Sequence, residues 1–349
     1  MSRRMTAAVL YGKQDVRVEQ VDIPRPAPDE VLVKVNVALT CGTDLKVWRQ
    51  GFHARMIKPP AVFGHELAGV IAEVGDNVDQ FRVGQRVVAS NSAPCGECNF
   101  CHKDLENLCE GLLFNNGAYA EYIRIPGPIV RKNLLEIPKH LSFRDAALVE
   151  PLACVLRGLE ESNVHRRDHV VIVGLGPIGQ MFVRLAKLRG ARVLALGRRR
   201  NQLDTALHMG ADDVLDVTAV SDVVAAVRSM SPGGNGMDVA IEAVGSPVTW
   251  EWASGFVRKG GTVNFFGGCP SGSKVQFDTT LLHYSEITLK ASFHHTPYYI
   301  RRALDTIASG DVSAVDLVTA EAPLRDLPEV FRHLEDRNGS GDLKTAILP

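Results

Sequence analysis

The chain has almost no net charge: 39 Lys and Arg stand against 40 Asp and Glu, a formal balance of −1 over 349 residues. Such a balance leaves no electrostatic footprint for a polyanion or an anionic lipid surface, so neither nucleic acid nor membrane is expected as a partner. A run of about 20 apolar residues is also missing. The opening MSRRMTAAVLYG has no apolar stretch long enough for a secretory signal, so a cytoplasmic home is the expectation. The cysteines are neither even in number nor evenly spread. There are seven, and four of them crowd into residues 95–109, which a simple disulfide framework does not explain. In a reducing compartment such a cluster reads as metal binding.

What is present has two textures, and the length is comfortable for two domains. From Ala7 to about Val130, short β-rich runs such as VLVKVNV, AGVIAEVG and RVVAS are separated by Pro, Gly and Asp. That pattern predicts a compact, partly open barrel. The period changes near Asp168, where HVVIVGLGPIGQMFVRLAKLRGARVLALG reads as strand, glycine turn, apolar-faced helix and second strand. Further strands are expected at DDVLDV, MDVAIEAVG, GGTVNFFGG and ITLKASF, giving a doubly wound parallel sheet. After His295 the βαβ pattern stops, and YYIRRALDTIASGDV and KTAILP are assigned back to the first domain. The expected architecture is α/β: a barrel domain at residues 1–155 with a cysteine lobe at about 90–112, a parallel-sheet domain at 156–295, and a return to the first domain at 296–349.

The turn after the first parallel strand is Gly174-Leu175-Gly176-Pro177-Ile178-Gly179. Its first glycine permits a tight turn, its second lets a pyrophosphate approach the backbone, and its third allows close helix packing. The following helix start offers free N–H groups to phosphate. An Asp or Glu that would bind the 2′-hydroxyl of NAD is absent from the end of the second strand, which reads Gly197-Arg198-Arg199-Arg200. Guanidinium groups suit a 2′-phosphate, so NADP(H) is expected over NAD(H).

Cys95, Cys98, Cys101 and Cys109 can close a tetrahedral thiolate shell with no open position, as a structural zinc requires. Iron–sulfur ligation is the competing reading of the same spacing. A second, dispersed signature joins Cys41-Gly42-Thr43-Asp44 to Gly64-His65-Glu66 and Glu150-Pro151-Leu152. Thiolate plus imidazole suits a catalytic zinc, which needs about three protein ligands and one open position.

On these motifs the chain resembles the zinc-containing medium-chain dehydrogenase/reductase superfamily, in particular its sorbitol (polyol) and threonine dehydrogenase branch, over nearly its whole length. The resemblance implies a GroES-like catalytic domain interrupted by a Rossmann domain, with two zinc ions per chain. It implies Cys41, His65 and Glu66 as ligands of the catalytic zinc, Glu150 as a further candidate, and Thr43 as acceptor of the alcohol proton. Where close relatives place a relay histidine this chain has Lys46, which either takes over the relay or is a solvated surface group, Thr43 then passing the proton to water or the cofactor ribose by another route. Val244, Phe266, Gly267, Ser292 and Phe293 are expected near the nicotinamide, and Trp48, His294 and His295 beside the substrate. The activity implied is reversible hydride transfer between NADP(H) and a secondary alcohol, polyol or sugar-derived alcohol, by a homodimer or homotetramer. The alternatives are an NAD-dependent threonine-type dehydrogenase, a zinc-free reductase of the same superfamily, and a zinc- and nucleotide-binding module without activity.

Overall fold

A computed structural model describes residues 3–52, 55–336 and 341–349. Packing divides the chain into two compact units, one formed by residues 1–153 and 295–349 and the other by 154–294, against expected limits at 155/156 and 295/296. Among the described residues, no helix is long and apolar enough to cross a membrane.

The first unit is built on a seven-stranded sheet in the order Leu134–Glu136, Arg86–Ala89, Glu66–Val74, Val31–Leu39, Lys344–Leu348 and Val318–Pro323, with Tyr122–Ile125 pairing to Val31–Leu39 as well. A three-stranded sheet of Asp15–Asp22, Arg4–Gly12 and Ala61–Val62 accompanies it. In Val31–Leu39 only Lys34 and Asn36 are exposed, the pleat turning these polar residues outward while their neighbours enter the core. That core gathers Val33, Phe63, Leu67, Ile71, Tyr119, Ile125, Phe331 and Ile347, among others.

Trp48, expected beside the substrate, belongs to this core. On the helix Gly42–Gln50, Asp44, Val47 and Trp48 share one face at helical spacing, and that face is buried. The indole stacks on Phe331 with ring centroids 5.9 Å apart.

The second unit is a six-stranded parallel sheet in the order Asp213–Asp216, Arg192–Gly197, His169–Val173, Met237–Glu242, Val257–Phe265 and Thr288–Ala291. The order reverses between His169–Val173 and Met237–Glu242, the switch point beyond whose strand ends such sheets bind ligands. All six strands expected from the sequence are present.

Candidate metal and nucleotide sites

Sheet register assembles the buried site of the first unit. Leu39 stands opposite Glu66 on one side and Ala346 on the other. The strand ends therefore carry Thr40 and Cys41, His65 and Glu66, and Lys344 to one end of the sheet. Cys41 caps the helix Gly42–Gln50, its Sγ accepting the Thr43 N–H at 3.4 Å. One donor atom each from Cys41, His65 and Glu66 lies within 4.8 Å of the others.

His65 and Glu66 are buried, so their charges need partners on the protein side. Asp44 Oδ1 lies 2.9 Å from His65 Nδ1, at ion-pair distance but off the straight hydrogen-bond line. The Tyr119 hydroxyl donates to Asp44 Oδ2 at 2.7 Å. Lys344 Nζ, itself buried, donates to both Glu66 oxygens at 2.8 and 2.6 Å and to the Thr40 carbonyl at 2.9 Å.

Glu150 enters from the helix Val149–Glu161 and is buried as well. Burial pushes its carboxyl up to about 7 against the pull of the His65 charge. Burial also raises Glu66, with Lys344 and His65 opposing. For His65 burial acts downward, and the neighbouring Asp44 and Cys41 outweigh it, lifting the imidazole well above its usual range. Cys41, Glu66 and Glu150 thus face one buried lysine, a clustering of thiol and carboxyl donors beside the His65 imidazole. Thiol, imidazole and carboxylate together fit zinc.

On the same helix as Cys41, Thr43 is half-buried and Lys46 exposed. His295 is buried, with Nε2 2.9 Å from Ser90 Oγ, 3.3 Å from Asn91 Oδ1 and 3.7 Å from Glu150 Oε1. The boundary between the two units falls between His294 and His295.

In the cysteine loop, sulfur separations are 3.4 Å for Cys95 and Cys109, 3.6 Å for Cys98 and Cys101, and 3.9 Å for Cys95 and Cys101. Ligands about 2.3 Å from one tetrahedral zinc stand about 3.8 Å apart, whereas a disulfide needs about 2.05 Å. The spacing therefore suits four ligands of one ion. Backbone N–H groups of Cys101 and Glu110 bring the Cys98 thiol down to about 6, and burial pushes Cys101 up to about 12.

In the second unit the three glycines of the turn do three separate jobs. Gly174 has φ +92°, and a Cβ there would stand 2.5 Å from Val244 Cγ2. At Gly179 a Cβ would fall 1.8 Å from the Gly174 carbonyl oxygen, so helix and turn require its absence. At Gly176 a Cβ would meet nothing within 4 Å, which leaves open space where a phosphate would approach. Gly176 also starts the helix Pro177–Leu188 with no side-chain cap, and since the Gln180 N–H already bonds the Gly176 carbonyl, the N–H groups of Ile178 and Gly179 are left to an anion.

Beyond Gly197, Arg198 is exposed, and Arg199 is the half-buried N-cap of the helix Arg200–His208. Arg200 pairs with Asp204 at 3.0 Å on the exposed face. Glu242, at the end of its strand, ties down the next turn: its carboxylate accepts the N–H groups of Val244 and Gly245 at 2.8 and 2.9 Å and the Thr249 hydroxyl at 2.7 Å. Its carbonyl accepts the N–H groups of Phe266 and Gly267. Phe266 packs edge-on to Phe182, and Ser292 is buried with its hydroxyl 3.0 Å from Asn264 Nδ2. Phe293 is half exposed, and Arg157 donates to its carbonyl and to that of His294.

Sequence reasoning assigned no role to Asp44, Tyr119, Lys344, Ser90, Asn91 or Glu242. Asp44 stood inside a recognised motif. The others lie in runs that read as ordinary strand or turn.

Residues 27–139 match the alcohol dehydrogenase GroES-like domain, and residues 177–309 match the zinc-binding dehydrogenase domain. A sorbitol dehydrogenase of Bacillus subtilis (strain 168) is 30% identical, covering 99% of this chain and 98% of that protein. A sorbitol dehydrogenase of Bombyx mori is 31% identical over 93% and 94% of the two chains. Among solved structures, one described as a zinc-binding dehydrogenase from Sinorhizobium meliloti 1021 bound to NADP superposes with a TM-score of 0.91 at 32% identity, covering 99% of this chain and 100% of that one.

Proposed function

We propose a function that proceeds from one premise: the chain belongs to the zinc-binding dehydrogenases that carry an alcohol dehydrogenase GroES-like domain. It oxidises a secondary alcohol, polyol or sugar-derived alcohol with NADP and reduces the corresponding ketone. The observation that carries this reading is the convergence of Cys41, His65 and Glu66 within 4.8 Å, with His65 and Glu66 buried. These three would hold a catalytic zinc with Glu150 at hand, and Cys95, Cys98, Cys101 and Cys109 would hold a structural one.

When bound, zinc lowers the pKa of an alcohol and the nicotinamide takes up the hydride. The chain's own residues do the rest. Asp44 holds His65 from behind, and Lys344 neutralises Glu66. Thr43 would accept the alcohol proton while its own hydroxyl proton passes to water, on a path beside which Lys46 stands exposed three residues further along the helix. The open space at Gly176 and the free N–H groups of the following helix receive the pyrophosphate. The free thiols suit a reducing, cytoplasmic compartment.

Preference for NADP is supported by Arg198 and Arg199 where an acid would bind the 2′-hydroxyl, and by the NADP held in the Sinorhizobium relative. The test compares kcat/KM for the two cofactors over a panel of secondary alcohols and polyols, with metal analysis of the same sample. Arg198→Ala/Arg199→Ala is expected to lower efficiency with NADP about 10- to 100-fold and leave NAD nearly unchanged. A wild-type preference for NAD overturns the cofactor reading. No turnover on any alcohol despite two bound zinc ions overturns the dehydrogenase reading.

A further inference from the structure

We infer that Tyr119 is a positioning residue for the buried metal site, acting on His65 through Asp44; the inference rests on the zinc reading of Cys41 and His65. Tyr119 is fully buried and fixed from three directions. Its N–H donates to the Phe63 carbonyl at 2.9 Å, while Gly117 and Ala118 donate to the Gly64 carbonyl at 2.8 and 3.1 Å. Its ring covers Gly64, where φ is +89° and a Cβ would stand 2.5 Å from the ring. The ring also meets Phe63 edge-on at 5.6 Å and Phe331 at 6.1 Å. The phenol is therefore locked to the backbone immediately before His65.

From that fixed point the hydroxyl reaches Asp44 Oδ2 at 2.7 Å and the Leu39 carbonyl at 3.1 Å. With a single proton to give, it favours the shorter, charge-assisted bond to the carboxylate. Asp44 is buried, and its other oxygen faces His65 Nδ1. Satisfying Oδ2 stops the carboxylate from turning, which keeps Oδ1 behind the imidazole and leaves Nε2 for the metal. Ring packing explains an aromatic residue here, but Phe would pack equally well. Only the hydroxyl reaches Asp44, and Tyr119→Phe isolates it.

The test follows metal release from the full chain loaded with zinc into a chromogenic chelator. Cobalt-exchanged protein separates the two sites, because a four-thiolate ion and a one-thiolate ion absorb differently. Tyr119→Phe is expected to release the Cys41/His65 metal about 10-fold faster, with the four-cysteine metal unchanged. Asp44→Asn should do at least as much, and the double variant no more than Asp44→Asn alone, since Tyr119 acts through Asp44. Wild-type release from Tyr119→Phe overturns the inference. So do faster release from both sites together, which marks general loosening, and additive effects in the double variant. A wild-type chain that binds metal only at its four cysteines is a different failure: it refutes the zinc reading and takes the inference with it.

Discussion

The four-cysteine loop and the Cys41/His65 site would hold the same metal by opposite constructions. In the loop, one short segment supplies all four sulfurs, Cys95 is exposed, and local backbone N–H groups tune the thiols. In the buried site the donors come from separate strand ends, and the balancing cation is Lys344, 278 residues beyond Glu66. A loop can present ligands with almost no help from the rest of the fold. A site made by sheet register can bury its charges, and it then depends on every element that balances them.

The sharpest break in this comparison is expected from serine substitutions. Cys41→Ser should lower kcat/KM by on the order of 10³-fold with little change in melting temperature. Cys98→Ser should lower the melting temperature and keep turnover at temperatures where the chain stays folded. Parallel activity assays and thermal melts check this, and equal loss of activity in two folded variants would erase the distinction. Next in size is Lys344→Met, which leaves Glu66 buried without its cation. Urea unfolding of the metal-free protein at pH 8 should show a loss of about 3–5 kcal/mol, most of it restored in Lys344→Met/Glu66→Gln. A double variant no more stable than the single one would show that pairing is not the cause.

The smallest effect contrasts the buried pair with a solvent-screened one in the second unit. Burial alone would raise the Asp238 carboxyl, but the His169 N–H and the Arg258 guanidinium outweigh it and hold it below the usual range. A carboxyl depressed in the folded state contributes stability above its unfolded value, about 3.9, and loses it as pH falls through the folded value. Asp238→Asn should therefore cost about 1 kcal/mol or less at pH 7 after screening. The difference from wild type should shrink as pH falls below about 4 in melts run across the range. A difference that persists there would point to packing instead of charge.

Features that depend on neighbouring residues were legible in the sequence. The strand, glycine turn and helix around Gly174–Gly179 and the spacing of the four cysteines needed no knowledge of the distant chain. Cys41, His65 and Glu66 were found because they stand in short motifs. Tyr119 and Lys344 were not, because which strand lies beside which, and in what register, decides what they touch. Lys344 opens the run KTAILP, and only sheet register turns it inward onto Glu66. The phase of its helix likewise directs Trp48 into the core, a packing that the motif beside it does not reveal.

The pairing of Lys344 with Glu66 also bears on the order of events during biosynthesis. Ribosomes add about 5–20 residues per second, so on the order of tens of seconds separate the appearance of the two partners. Residues 154–294 emerge in that interval and form a compact unit of their own. The first unit has to wait, with Glu66 in water and the strand Lys344–Leu348 missing from the middle of its sheet. The interrupting domain is thus free to mature before the one that began first, and the buried Cys41/His65 cluster is among the last parts of the protein to be closed.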